Sequence, residues 1–145
     1  MSNHDIAQAM RHHHAEMVDT LHQLTQQMVM ASNWKFTRDI VTPWITTEIG
    51  RQALAEETTV YPVARRINYQ LIELMLYDHV ALHTLTTELE RSDTRDAALM
   101  ACAQISHLFE SHVDKENRFI ISPIESLSDV NLEVVLGEMH QLLAP

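Results

Sequence analysis

Near its end the chain carries a histidine and a carboxylate four residues apart, His112-Val-Asp-Lys-Glu116, with Pro123 shortly after. A related stretch, Gln52-Ala-Leu-Ala-Glu56, lies earlier, with Pro62 shortly after. Each follows a segment with a histidine on its apolar stripe, His14 before the first and His79 before the second. On a helix, residues four apart project from one face, about 40° apart around the axis. Two such units packed together would gather nitrogen and oxygen donors around one buried point, which is what a metal site inside a helical protein requires. Imidazole and carboxylate together suit borderline first-row metals, iron and manganese among them. The candidate donors are His14, Gln52, Glu56, His79, His83, His112 and Glu116. A single zinc takes three or four ligands, so this set is too large for one ion and suits two. Gln52 stands where the repeat calls for histidine.

Each residue also has an ordinary reading. A lone inward histidine is more often a hydrogen-bonded core residue than a ligand, and a His/Glu pair at this spacing is often a solvated helix-surface contact. What points to a metal is the set: polar interruptions on four apolar stripes, in repeating order.

The segments that must position these groups are long and helix-like. Residues 3–31 carry a stripe of Ile6, Met10, Met17, Leu21, Leu24 and Met28, with His14 on it and His13 beside it. That spacing is one helix face. Residues 35–61 carry Val41, Ile45, Ile49, then Gln52, Ala53, Glu56 and Val60. Pro43 either kinks this helix or occupies its first turn, and Pro62 marks its end. Residues 68–91 carry Leu71, Met75, His79, Leu82, Thr86 and Leu89, with His83 sharing the His79 face. Residues 95–121 carry Ala101, Ile105, Leu108, His112, Glu116 and Phe119, and Pro123 ends them. A shorter fifth helix over 130–143, started by Ser128 or Asp129, has a packing role. Short connections between long helices predict antiparallel neighbours. The expected fold is therefore all-α, an up-down-up-down four-helix bundle with a short fifth C-terminal helix. The polar interruptions fall mid-helix, so one layer could hold them all.

Composition agrees. Two glycines and four prolines in 145 residues leave little room for turns. The hydrophobic share is 46%, enough for a core in a single domain. A formal charge of −10 argues against nucleic acid and against an anionic membrane surface as partners. Cys102 is the only cysteine, so an internal disulfide is impossible and the chain needs no oxidising compartment. No signal peptide and no membrane-spanning run are visible, and the expected location is cytoplasmic. Ten histidines give the metal reading its raw material.

Residues 10–123 resemble the hemerythrin-like family, the HHE cation-binding domains. The resemblance rests on His13-His14-Ala-Glu-Met, Ala53-Leu-Ala-Glu-Glu-Thr-Thr-Val-Tyr-Pro62, Tyr77-Asp-His79-Val-Ala-Leu and His112-Val-Asp-Lys-Glu-Asn-Arg-Phe-Ile-Ile-Ser-Pro123. It implies one such domain over residues 1–145, with two iron ions, oxo- or hydroxo-bridged, inside a helical bundle. It implies His14, His79 and His112 as ligands and Glu56 and Glu116 as bridging carboxylates. His83 matches the second histidine of the pair found in oxygen-carrying members. The chain departs from the family at Gln52. Gln52 itself, His13, Glu48, Glu57 or Tyr61 could complete the second metal's ligands, or one metal alone is held.

The leading expectation is a di-iron protein that binds dioxygen or a related small ligand, nitric oxide or peroxide. The alternative is a di-iron enzyme, consuming peroxide or nitric oxide or acting as an oxygen-dependent oxidase, with its site modified at Gln52. A metal-dependent regulator or interaction module is the third.

Overall fold

The computed structural model describes residues 1–144 and is all-helical, with no strand among them. Helix α1 is Asn3–Met30. Ser2 caps it, its hydroxyl accepting from the Asp5 N–H while the Asp5 side chain reaches back to the Ser2 N–H. Helix α2 spans 34–64 and starts at Asn33, whose side chain accepts from the Phe36 N–H. Helix α3 is Tyr69–Glu90 and helix α4 spans 95–125, capped by Asn68 and Thr94 in the same way. Helix α5 is Leu132–Leu143. Its cap is Asn131 rather than Ser128 or Asp129.

Proline stops neither long helix where the sequence suggested. Pro43 and Pro62 both lie inside α2, which runs on to Ala64. Pro123 lies inside α4, just after a wide turn. Two such π-helical turns occur among the described residues, Ile45–Ile49 in α2 and Asn117–Ile121 in α4. In each an N–H reaches back five residues, Gly50 to the Ile45 carbonyl and Ser122 to the Asn117 carbonyl. Each wide turn takes up an extra residue and rotates the helix face beyond it by about 100° relative to the regular period. Both lie within a few residues of the carboxylates expected to bind metal.

Helix α1 packs against α2 and α4, and α3 packs against the same two. Helix α5 lies on α1 and α2. The apolar side chains form two clusters. One holds Ile6 and Met10 of α1, Val60 and Tyr61 of α2, Ile72 and Met75 of α3, Ile120 of α4 and Met139 of α5. The other holds Met17 and Leu21 of α1, Ile45 and Ile49 of α2, Leu82 and Leu89 of α3, and Ile105 and Phe109 of α4. The polar layer falls between the clusters: His14 between Met10 and Met17, His79 between Met75 and Leu82, His112 between Phe109 and Ile120. No helix among the described residues is long and apolar enough to cross a membrane.

Candidate metal centre

Glu56 of α2, His79 of α3, and His112 and Glu116 of α4 form a buried cluster able to hold a metal ion. One donor atom from each lies within 4.8 Å of all the others. Each carboxylate faces two ways. Glu56 turns Oε1 toward His79 Nε2 at 3.6 Å and Oε2 toward His14 Nε2 at 3.4 Å. Glu116 turns Oε1 to His112 Nε2 and Oε2 to His14 Nε2 at 3.6 Å. The donors therefore divide into two groups that share the carboxylates. His79 and His112 stand on one side, and His14 stands alone on the other.

The far ring nitrogens are held in place. His112 Nδ1 donates to Asp78 Oδ2 at 2.9 Å, and Lys115 Nζ donates to the same oxygen at 2.6 Å. His79 Nδ1 donates to Glu57 Oε1 at 3.0 Å, and His14 Nδ1 donates to Asn117 Oδ1 at 2.9 Å. A neutral ring that donates a hydrogen bond from its Nδ1–H presents the Nε2 lone pair to the centre, the arrangement that orients histidine toward metals. Three such lone pairs and two carboxylates converge. A hydroxyl also faces them, that of Tyr61, 3.2 Å from both His79 Nε2 and Glu116 Oε1. This many buried acceptors need cations, either protons or a metal.

Without metal, protons take that place. Burial works against a charged His14 ring, but the Glu56 hydrogen bond and the Glu116 and Glu56 charges outweigh it and push its pKa up to about 9. Burial likewise opposes charge on His112, yet hydrogen bonds to Asp78 and Glu116 bring it to about 10. Glu116 is pushed up to about 7 by burial and by the neighbouring Glu56 charge. Burial raises Glu56 too, but hydrogen bonds with Glu116, His14 and His79 hold it below its usual range.

Of the residues expected to bind metal, His14, Glu56, His79, His112 and Glu116 come together. His83 does not. It is exposed, and Leu82 takes the inward position one turn after His79. From His79 the step of three, to Leu82, stays on the buried face, and the step of four, to His83, leaves it. Glu48 is also exposed, because the wide turn at Ile45–Ile49 rotates it away and turns Ile49 inward. Glu57 holds the back of His79. His13 is exposed and lines a cavity beside the centre. Gln52 is buried against the same cavity, next to His14, Glu56 and Glu116.

That cavity, about 240 Å³, lies on the His14 side and is walled partly by α5 through Leu136, Met139 and Leu143. Helix α5 thus does more than pack. Asp78 and Asn117 were not singled out from the sequence. Asp78 is one residue from His79 and points about 100° away on a regular helix. Its value comes from the α4 residues His112 and Lys115, which no single-helix pattern reveals. Comparisons with family models, with curated proteins and with solved structures find no match.

Proposed function

We propose that this chain is a hemerythrin-like di-iron protein whose centre binds dioxygen or a related small ligand, nitric oxide or peroxide. The fold read with it is an up-down-up-down four-helix bundle closed by α5. Alternating helix ends support that fold: the first half of α1 and the second half of α2 enter one apolar cluster, and α3 and α4 continue the alternation. The single observation carrying the functional reading is the two-way orientation of Glu56 and Glu116. Each offers one oxygen to the His79–His112 side and one to the His14 side.

His79, His112 and one oxygen of each carboxylate would hold the first ion. His14 and the remaining oxygens would hold the second, on the side of the centre that borders the cavity. Iron bound there supplies an open coordination position and a change of oxidation state. The protein's own part is positional. Asp78, Glu57 and Asn117 hold the three rings, and the apolar clusters on either side exclude water. The Tyr61 hydroxyl donates to Glu116 and leaves that carboxylate's second oxygen facing His14.

The unequal donor count favours a second reading, an enzyme that consumes peroxide or nitric oxide or an oxygen-dependent oxidase. An ion with three protein donors beside a cavity has room for a reactant. The deciding experiment is metal content per chain of freshly purified protein, with visible spectra taken under air and without oxygen. Two irons with an oxygen-dependent spectrum support the proposal. One ion or none, or a spectrum indifferent to oxygen, overturns it.

A further inference from the structure

We infer that the cavity beside His14 is a binding site for a small, neutral, mostly apolar organic molecule carrying one hydrogen-bonding group, which Gln52 reads. The inference deepens the proposed function. Chemical use of the bound molecule rests on the metal centre, but its binding does not.

The chamber is built by three helices and the end of α4. Met10 of α1, Val60 of α2, Ile121 of α4, and Leu136 and Met139 of α5 give it aliphatic walls. Its deep end is polar, where His14, Gln52, Glu56 and Glu116 meet. Exposed His13 and His140 form its rim. A dry aliphatic cavity of about 150 Å³ holds a benzene-sized molecule. At about 240 Å³ the chamber accepts roughly ten non-hydrogen atoms on the same scale.

Gln52 is the second, independent observation. It is 6% exposed, and no hydrogen bond ties its amide to another group among the described residues, whereas the ring nitrogens of His14, His79 and His112 all have partners. Its amide is not sealed off, since Thr42 Oγ1 alone among the described residues is a fully buried side-chain polar atom without a partner; what surface the amide keeps is open to a ligand's hydrogen bond. Facing the chamber, it offers both a donor and an acceptor to a hydroxyl, carbonyl or amide. Aliphatic walls and the Glu56 and Glu116 carboxylates at the deep end disfavour an organic anion, which would lose its hydration beside like charge. Gln52 also borders the small space between His14, Glu56, His79, His112 and Glu116, so it stands between the centre and the chamber.

The probe is para-fluorobenzyl alcohol, followed by fluorine NMR with metal-free and iron-loaded full-length protein. Saturable binding is expected in both. Leu136→Trp fills the chamber from a partly buried wall position and is expected to weaken binding about ten-fold or more. Gln52→Leu is expected to weaken the alcohol roughly five-fold through the lost hydrogen bond, while leaving para-fluorotoluene, which lacks the hydroxyl, unchanged. Para-fluorobenzoate is expected to bind far more weakly. Circular dichroism checks that each variant is folded. No saturable binding, equal binding by folded Leu136→Trp, or tight binding of the benzoate by metal-free protein overturns the inference. Probe binding with these variant effects in a protein that takes up no iron would sink the metal reading and leave the chamber standing. Iron uptake without probe binding would do the reverse.

Discussion

His79 and His112 present their Nε2 atoms to each other at 3.1 Å, while their Nδ1 atoms are held from behind by Glu57 and Asp78. Two lone pairs at that separation repel unless something positive lies between or beside them. The Tyr61 hydroxyl, 3.2 Å from one and 3.4 Å from the other, carries a single proton and is also within reach of Glu116. The pair is arranged for a cation.

That arrangement separates His79 from its sequence neighbour His83. His79→Ala removes one of four clustered donors and is expected to lower bound metal below a tenth of the wild-type content. His83→Ala alters an exposed residue and is expected to leave metal content and thermal stability unchanged within about 0.5 kcal/mol. Metal analysis of the two purified variants checks both. Loss of metal from the His83 variant would return that ring to the centre.

Glu116 gives opposite results with and without metal. Buried beside the Glu56 charge, it costs the metal-free protein stability, as its pKa near 7 records. Glu116→Gln removes that repulsion and is expected to hold or raise the melting temperature of metal-free protein. In the presence of metal the variant loses the shared oxygen. A ligand at a hundred times its dissociation constant stabilises by about 2.7 kcal/mol, so the variant is expected to forgo a metal-induced rise of roughly 5–10 °C. Calorimetry with and without metal reads both halves.

The raised histidines set a pH dependence for metal-free protein. His14 and His112 bind protons more tightly folded, near 9 and 10, than at the unfolded value of 6.5. The stability they contribute is complete below 6.5 and is lost as pH rises through 9 and 10. Glu116, raised to about 7, has already lost its share by then. Thermal stability of metal-free protein is expected to fall between pH 7 and 9, by at least about 5 °C. Metal displaces those protons, so the loaded protein is expected to show a flatter profile and an affinity that rises with pH. A metal-free profile flat across this window would contradict the assigned geometry.

Tyr61 lies close enough to be mistaken for a ligand. Burial and the Glu116 and Glu56 charges push its phenol pKa far upward in metal-free protein, so it remains a proton donor. Tyr61→Phe is expected to retain full metal content and to cost about 1 kcal/mol of stability through the lost hydrogen bond. Loss of metal, or of a visible band dependent on the phenol, would place the oxygen on the metal instead.

Much of this was legible in the sequence because it depends on one helix at a time. A histidine replacing an apolar residue between Met10 and Met17, or between Met75 and Leu82, announces itself against the stripe. What was not legible depends on departures from the regular period or on contacts between helices. Pro62 looks like a stop, yet one missing N–H does not end a helix packed along its length. Glu48 lies four residues before Gln52 and would share its face on a regular helix, but it sits inside the wide turn Ile45–Ile49, which breaks the register. Asp78 gains its role from Lys115 and His112, 37 and 34 residues away. The chamber beside His14 depends on where α5 docks, and its apolar stripe alone says only that it docks somewhere.

Gln52 ties the centre to the chamber. Its position in α2, one turn before Glu56, brings its side chain to the His14 side, where that ring and two carboxylate oxygens are the buried donors and His13 and His140 stay exposed at the rim. Gln52→His supplies a fourth nitrogen or oxygen donor there and removes the free amide. Binding of a second metal is expected to tighten about ten-fold or more, by analogy with the cost of losing even an outlying partner of a metal ligand. The alcohol probe is expected to bind less well in the same variant, because its hydrogen-bonding partner has turned to the metal. Calorimetric metal titration and fluorine NMR on one preparation measure both. Tighter metal with unchanged probe binding would separate the glutamine from the chamber. Looser metal would mean that the His14 side holds no ion for the new ring to join.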